Sequence, residues 1–256
     1  MFSLEPNYDC VIFLCLVCIG SILAAPDSHI IGGSDADIAD YPYQCSLRYS
    51  GSHTCGCVIL SASKILTAAH CVDGRTISSF SVIVGQTDRT VGQQIPITSA
   101  VMHPNYNNGD YTFYNDVATA TLSASVDLNN PNIQVADLAK PADGDFAGVE
   151  CTLTGWGRTS SSNTLPETLQ QTQMPALVSS SCENSMNAIG GKIGPGHICF
   201  SSSDTGACNG DSGGPARCNN KVSGIASWVV SSGGNCMVSY PSVYARVSEY
   251  YDWITA

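Results

Sequence analysis

Cysteine placement constrains this chain more than any other feature: there are thirteen in 256 residues, and where they fall decides which compartment and which kind of core the fold can have. Cys10, Cys15 and Cys18 lie in or beside the apolar run VIFLCLVCIGSILAA at 11–25. That run is shorter than the roughly 20 residues of a bilayer-crossing helix and ends on small residues. It reads as a signal peptide over residues 1–25, cut near Ala24 or Ala25. A signal anchor is the competing reading, because the preceding flank carries Glu5 and Asp9 and no Lys or Arg. Beyond the leader ten cysteines remain, an even number in an exported chain, which predicts disulfides and a secreted, extracellular protein. Zinc competes for the same residues, but paired C-x-x-C knuckles are absent from the sequence and the CGC at 55–57 has the wrong spacing for a zinc ribbon. No metal and no cofactor are expected.

After the leader, short alternating or apolar runs are separated by turn clusters: YQCSLRYS, CGCVILSASKILTA, FSVIVG, CTLTGWG and KVSGIASWVV. These read as strands. With 24 glycines and 12 prolines the chain suits many turns better than long helices. The convincing helical pattern is at the end, where Val247, Tyr250, Tyr251 and Ile254 form one apolar stripe. A segment rich in Pro, Asn, Asp and Gly at about 125–148 splits the chain into two β-rich halves. Removing residues 1–29 leaves a side-chain balance of −8, which argues against a nucleic-acid partner.

Three short motifs carry chemistry. GDSGG at 210–214 offers Ser212 as a nucleophile, with glycines that let the amides of Gly210 and Ser212 converge on one point. TAAHC at 67–71 offers His70 as a base, and NDVA at 115–118 offers Asp116 to orient it. Singly each is weak, since a lone DSG is usually a turn and a lone His is usually structural. In the order His, Asp, Ser, within a disulfide-rich exported β chain, they point to acyl transfer.

These motifs, with IIGG at 30–33, GWG at 155–157 and YPSVYARV at 240–247, resemble the chymotrypsin/trypsin-like serine proteases across essentially all of 30–256. The segments 155–170 and 227–247 look nearest to the earthworm fibrinolytic proteases of the lumbrokinase group. The resemblance implies an all-β fold of two six-stranded antiparallel barrels, about 30–130 and 145–245, with a short C-terminal helix at about 246–256. It implies a four-residue propeptide, 26–29, whose removal after His29 frees the amine of Ile30 to pair with Asp211 and order the Gly210 amide. Burying Asp211 without that partner costs several kcal/mol, so the uncut chain is expected to hold the loop differently. His29 replaces the basic residue usual at this cut, so a separate extracellular protease is the expected activator. The other implied partners are protein or peptide substrates and protease inhibitors; a monomer is expected, with no membrane contact after signal removal.

By the same resemblance the pocket for the side chain before the scissile bond includes Gly206, Ala207, Asn209, Ser227, Trp228, Val229 and Ser242. Gly206 stands at the floor, where trypsins carry aspartate, so a substrate Lys or Arg would bury its charge unpaired at a cost of roughly 3–5 kcal/mol. Val229 and Ser242 occupy wall positions that are glycine where large side chains enter, which predicts elastase-like preference for small neutral residues. The long segment VVSSGGN at 229–235 keeps broad or chymotrypsin-like selectivity open. Trp228 is either a pocket wall or a core residue, and Ser227 is expected to support Asp116. The implied bridges are Cys55–Cys71, Cys151–Cys218, Cys182–Cys199 and Cys208–Cys236. Cys45 and Cys57 are left over; each lies six residues from Gly51 at a turn, so a hairpin lets them face and form a fifth. His53, His103 and His197 are expected to be surface or core residues. A non-catalytic binding protein on the same scaffold would be expected to have lost His70, Asp116 or Ser212, and all three are present. A zymogen in an extracellular cascade is the remaining alternative.

Overall fold

A computed structural model describes residues 30–159 and 164–256; the expected leader, the propeptide and His29 lie outside the described residues. In chain order the strands are β1 (Ser34–Asp35), β2 (Gln44–Tyr49), β3 (Ser52–Ser61), β4 (Lys64–Thr67), β5 (Phe80–Val84), β6 (Ile95–Met102), β7 (Ala118–Leu122), β8 (Glu150–Gly155), β9 (Gln170–Pro175), β10 (His197–Phe200), β11 (Pro215–Cys218), β12 (Lys221–Trp228), β13 (Ser231–Ser232), β14 (Asn235–Cys236) and β15 (Ser242–Arg246). The helices are α1 (Ser179–Asn187) and α2 (Val247–Thr255).

The first half closes on itself. β2, β3, β4, β7, β6 and β5 pair antiparallel in that order and β5 returns to β2, so this barrel has no free sheet edge. Its interior is aliphatic, with Leu47, Val58, Ile65, Leu66 and Val82 fully buried. In the second half β9, β8, β11, β12, β15 and β10 form a curled sheet to which β1 adds a seventh strand along β9. The expected barrel is only pinched shut here. Pro175 ends β9 without an N–H to donate, and contact with β10 is limited to the Ala176–Phe200 bridge and a few backbone bonds such as Leu177 N to Cys199 O at 2.8 Å.

α2 buries Val247, Tyr250 and Ile254 of the expected stripe and packs with the core of the first barrel. α1 had no comparable signature. Only Cys182 and Met186, four residues apart on one face, are buried in it, and the Cys182–Cys199 bridge ties it to β10.

All five cysteine pairs are joined. The Cys45–Cys57 bridge depends on an irregularity. The tight turn at Ser50–Gly51 pairs Tyr49 with Ser52 and Arg48 with His53, a register that would set Cys45 against Gly56. A β-bulge between Leu47 and Arg48 shifts the pairing by one residue and brings Cys45 opposite Cys57.

The two halves touch through backbone and amide. Gln44 and Thr154, both buried, exchange side-chain contacts, with Thr154 Oγ1 donating to Gln44 Oε1 at 2.6 Å. Gly56 of β3 lies against Gly214, where a Cβ on Gly56 would stand 2.7 Å from the Gly214 Cα. Only glycine permits that approach, and it lets Gly56 N donate to Ser212 O at 2.7 Å.

Candidate active site

His70 sits on a 3-10 turn, Ala69–Cys71, that follows β4 and is anchored by the Cys55–Cys71 bridge. Asp116 lies two residues before β7. Asn115, at φ 58°, turns the chain there, and its side-chain amide donates to Asn105 O at 2.7 Å. Asp116 is buried. Its Oδ2 lies 2.7 Å from His70 Nδ1, and its Oδ1 accepts the His70 backbone N–H at 2.9 Å. Ser227 Oγ donates to Oδ2 at 2.6 Å. Three donors therefore converge on one carboxylate, which orients the imidazole through Nδ1, while Nε2 lies 3.8 Å from Cys71 Sγ.

His70 and Ser212 line one cleft of about 250 Å³, together with Phe113, Ala207, Asn209, Ser227, Trp228 and Val229. Ser212 rides on a loop tied at several points. Its carbonyl accepts from Gly56, Asp211 N donates to Cys208 O, Gly213 N to Ala226 O and Gly214 N to Asp211 O, at 2.7 to 3.0 Å. The amides of Gly210 and Ser212 have no acceptor among the described residues. Cys55, His70 and Cys71 place potential metal-binding atoms within 4.8 Å of one another, but both sulfurs are held in the disulfide and offer no thiolate.

Next to the nucleophile the chain buries an acid. The Asp211 carboxylate accepts from Gly157 N at 2.8 Å and from Cys208 N at 2.9 Å. Burial pushes its pKa up to about 6, against the pull of those two amides, and no cation among the described residues acts on it. A side chain at Gly157 would overlap the carboxylate. Among the described residues these two amides are the partners of the Asp211 carboxylate. Ile30 is itself buried, and Ile31 O accepts from Gly206 N at 3.2 Å.

His53, expected only as a surface or core residue, braces the loop. Its Nδ1 lies 2.8 Å from Ser46 Oγ and its Nε2 3.0 Å from Gly210 O. Desolvation lowers its pKa to about 4, so the neutral ring donates from Nε2 to the carbonyl and accepts from Ser46. Leu165 covers the other side of Gly210. His103 packs against Tyr250 and Trp253, and His197 against Tyr114.

Of the expected pocket residues, Ala207, Asn209, Ser227, Trp228 and Val229 line the cleft, and Gly206 and Ser242 are not among its lining residues. Ser242 Oγ accepts from Ala207 N at 3.1 Å. Trp228 lines the cleft and is half-buried, packed against the cluster that contains Cys182, Met186 and Val243. Sequence reasoning missed Phe113, whose ring meets His70 edge-on at 6.2 Å; it lies in a loop with no periodicity to mark it.

The model of the trypsin family matches residues 30–254. The chain belongs to the trypsin family of serine proteases. It is 43% identical over 238 residues to fibrinolytic enzyme isozyme C of Lumbricus rubellus, covering 88% of this chain and 98% of the relative. It is 36% identical over 255 residues to a chymotrypsin-like serine proteinase of Haliotis rufescens, covering 95% and 96%. Among solved structures it is similar to neuropsin, a serine protease of mouse brain, with a TM-score of 0.74 at 29% identity, covering 87% of this chain and 97% of that one. This trypsin-family protease is thus a serine endopeptidase acting on protein substrates. Among its described residues no helix is long and apolar enough to cross a membrane.

Proposed function

We propose that the protease cleaves peptide bonds through Ser212, His70 and Asp116, with elastase-like preference for a small neutral residue before the scissile bond. His70 Nε2 takes the proton of Ser212 Oγ as that oxygen attacks the carbonyl, and later returns it to the leaving amine. Asp116 stabilises the imidazolium through the 2.7 Å bond to Nδ1. The unengaged amides of Gly210 and Ser212 receive the oxyanion.

The observation that carries the selectivity is the composition of the cleft beyond the nucleophile: Ala207, Ala226, Val229 and Val243 narrow it. The acid on its lining, Asp211, turns its carboxylate into the Gly157 and Cys208 amides instead of toward a substrate cation. An unpaired substrate Lys or Arg is therefore disfavoured, and a large ring meets the Val229 methyls.

Residues 1–25 are assigned as a signal peptide, 26–29 as a propeptide and 30–256 as the peptidase domain of a secreted, monomeric zymogen. Cleavage after His29 by another protease releases the Ile30 amine, a cation of the right sign for Asp211. Protease inhibitors are partners of the same cleft. Fibrin, through the Lumbricus rubellus relative, and dietary protein are the two substrates put forward. The test is fluorophosphonate labelling of the full chain before and after cleavage at His29, beside Ser212→Ala, followed by a peptide series varied at the residue before the scissile bond. Labelling lost in Ser212→Ala and fastest turnover on Ala or Val support the reading. Labelling that survives the substitution, or Phe or Arg turned over ten times faster than Ala and Val, overturns it.

A further inference from the structure

We propose that Val238 is the size-limiting stop of the specificity pocket, a part that neither Gly206 nor the wall residues supply. A side chain added at Gly206 would put its Cβ 3.2 Å from Val238 Cγ1, 3.7 Å from Val238 Cβ and 3.5 Å from Ser242 Oγ. One Val238 methyl therefore bounds the room that the missing Gly206 side chain leaves, and Gly206, Val238 and Ser242 all stand outside the set of residues that lines the cleft. Val238 does not stand there by chance of a loose loop. The Cys208–Cys236 bridge fixes the chain two residues before it. Met237 N donates to Val230 O at 2.8 Å across the β13–β14 hairpin, and Tyr240 N donates to Met237 O at 3.1 Å to close the turn that contains it.

A glycine at the floor usually means a deeper pocket; here a residue from a distant segment takes the space back. Two consequences follow. Trimming Val238 deepens the pocket for unbranched or aromatic side chains. Placing an acid at Gly206 alone makes a poor site for Lys or Arg, because the new side chain starts 3.2 Å from Val238 Cγ1 and the valine has to shift to admit it.

This proposal rests on the reading of an elastase-like pocket, and the experiment separates the two. kcat/KM is measured for the active protease, Val238→Ala, Gly206→Asp and the double variant Gly206→Asp/Val238→Gly, on peptides carrying Ala, Val, Leu, Met, Phe or Arg before the scissile bond. Each preparation is titrated with a fluorophosphonate so that partial folding drops out, and selectivity is read as a ratio within one variant. In Val238→Ala the Met:Ala and Phe:Ala ratios are expected to rise about tenfold. Gly206→Asp is expected to gain less than threefold on Arg, and the double variant at least thirtyfold over it. Ratios unchanged within twofold in Val238→Ala overturn the assignment, as does a Gly206→Asp variant that cleaves after Arg as well as the double variant does. A starting enzyme that prefers Phe or Arg refutes the elastase-like reading alone; a tenfold shift in Val238→Ala still upholds the role of Val238.

Discussion

Replacing Asp211 with Asn in the uncut chain, in a Ser212→Ala background to prevent self-digestion, isolates the cost of burying its charge. The carboxylate is fully buried, accepts two backbone amides and meets no cation among the described residues, and its pKa is raised from 3.8 to about 6. A group whose folded pKa is raised contributes stability that is complete below the unfolded pKa and is lost as pH rises through the folded one. Between about pH 4 and 7 the uncut chain should therefore lose about 3 kcal/mol through this residue, two pK units at 1.36 kcal/mol each. His53 and His197 work in the opposite sense, since burial lowers both to about 4 and their contribution is lost as pH falls. The measurement is accordingly a double difference: urea unfolding of parent and variant at pH 4.5 and 7.5, in which the histidines cancel. Asn forfeits one amide bond at every pH, about 1–3 kcal/mol, so the variant is less stable in acid. Its deficit should shrink or reverse by about 2–3 kcal/mol at pH 7.5. Parallel pH dependences for the two proteins would refute the argument and mean that Asp211 is solvated or paired in the uncut chain.

Other perturbations act on separate parts of the site. Ser227→Ala removes the 2.6 Å donor to Asp116; at about 1.5 kcal/mol for a bond to a charged group, kcat on a peptide substrate should fall roughly tenfold with little change in KM. Asp116→Asn should cost about 10⁴ in kcat, because the imidazole loses its tautomer restraint; a loss under tenfold would exclude the assigned role. Gly157→Ala drives a methyl into the Asp211 carboxylate, and both fluorophosphonate labelling and thermal stability should collapse together. Converting Cys45 and Cys57 to Ala opens a loop with a separation of 12 residues. Urea unfolding should show a loss of about 3 kcal/mol, because the open loop gives the unfolded chain back its closure entropy.

Much of the fold was readable because its signals are local. Alternating runs mark the strands, and the stripe Val247, Tyr250, Ile254 marks α2, because one-sided burial imposes its period on the sequence. α1 escaped because a disulfide and two buried side chains hold it, with little amphipathic pattern to see. The limited closure of the second sheet was equally hidden, since it turns on which end of β9 reaches β10. The site divides the same way. The motifs around His70, Asp116 and Ser212 carry their own residue types, whereas His53, Leu165 and Val238 are ordinary residues that matter through what they touch.

Residue order alone specified the chemical groups: an imidazole, a carboxylate, a hydroxyl among glycines, and enough paired sulfur to staple a small-stranded core. Those follow from covalent identity and short-range backbone freedom. Distances between remote segments were settled only on folding. The bulge that sets Cys45 against Cys57, the amides that take Asp211 indoors and the valine that bounds the space beside Gly206 each depend on how two closely packed halves meet. Contact at van der Waals range depends on position to a fraction of an ångström, and no spacing along a chain encodes that.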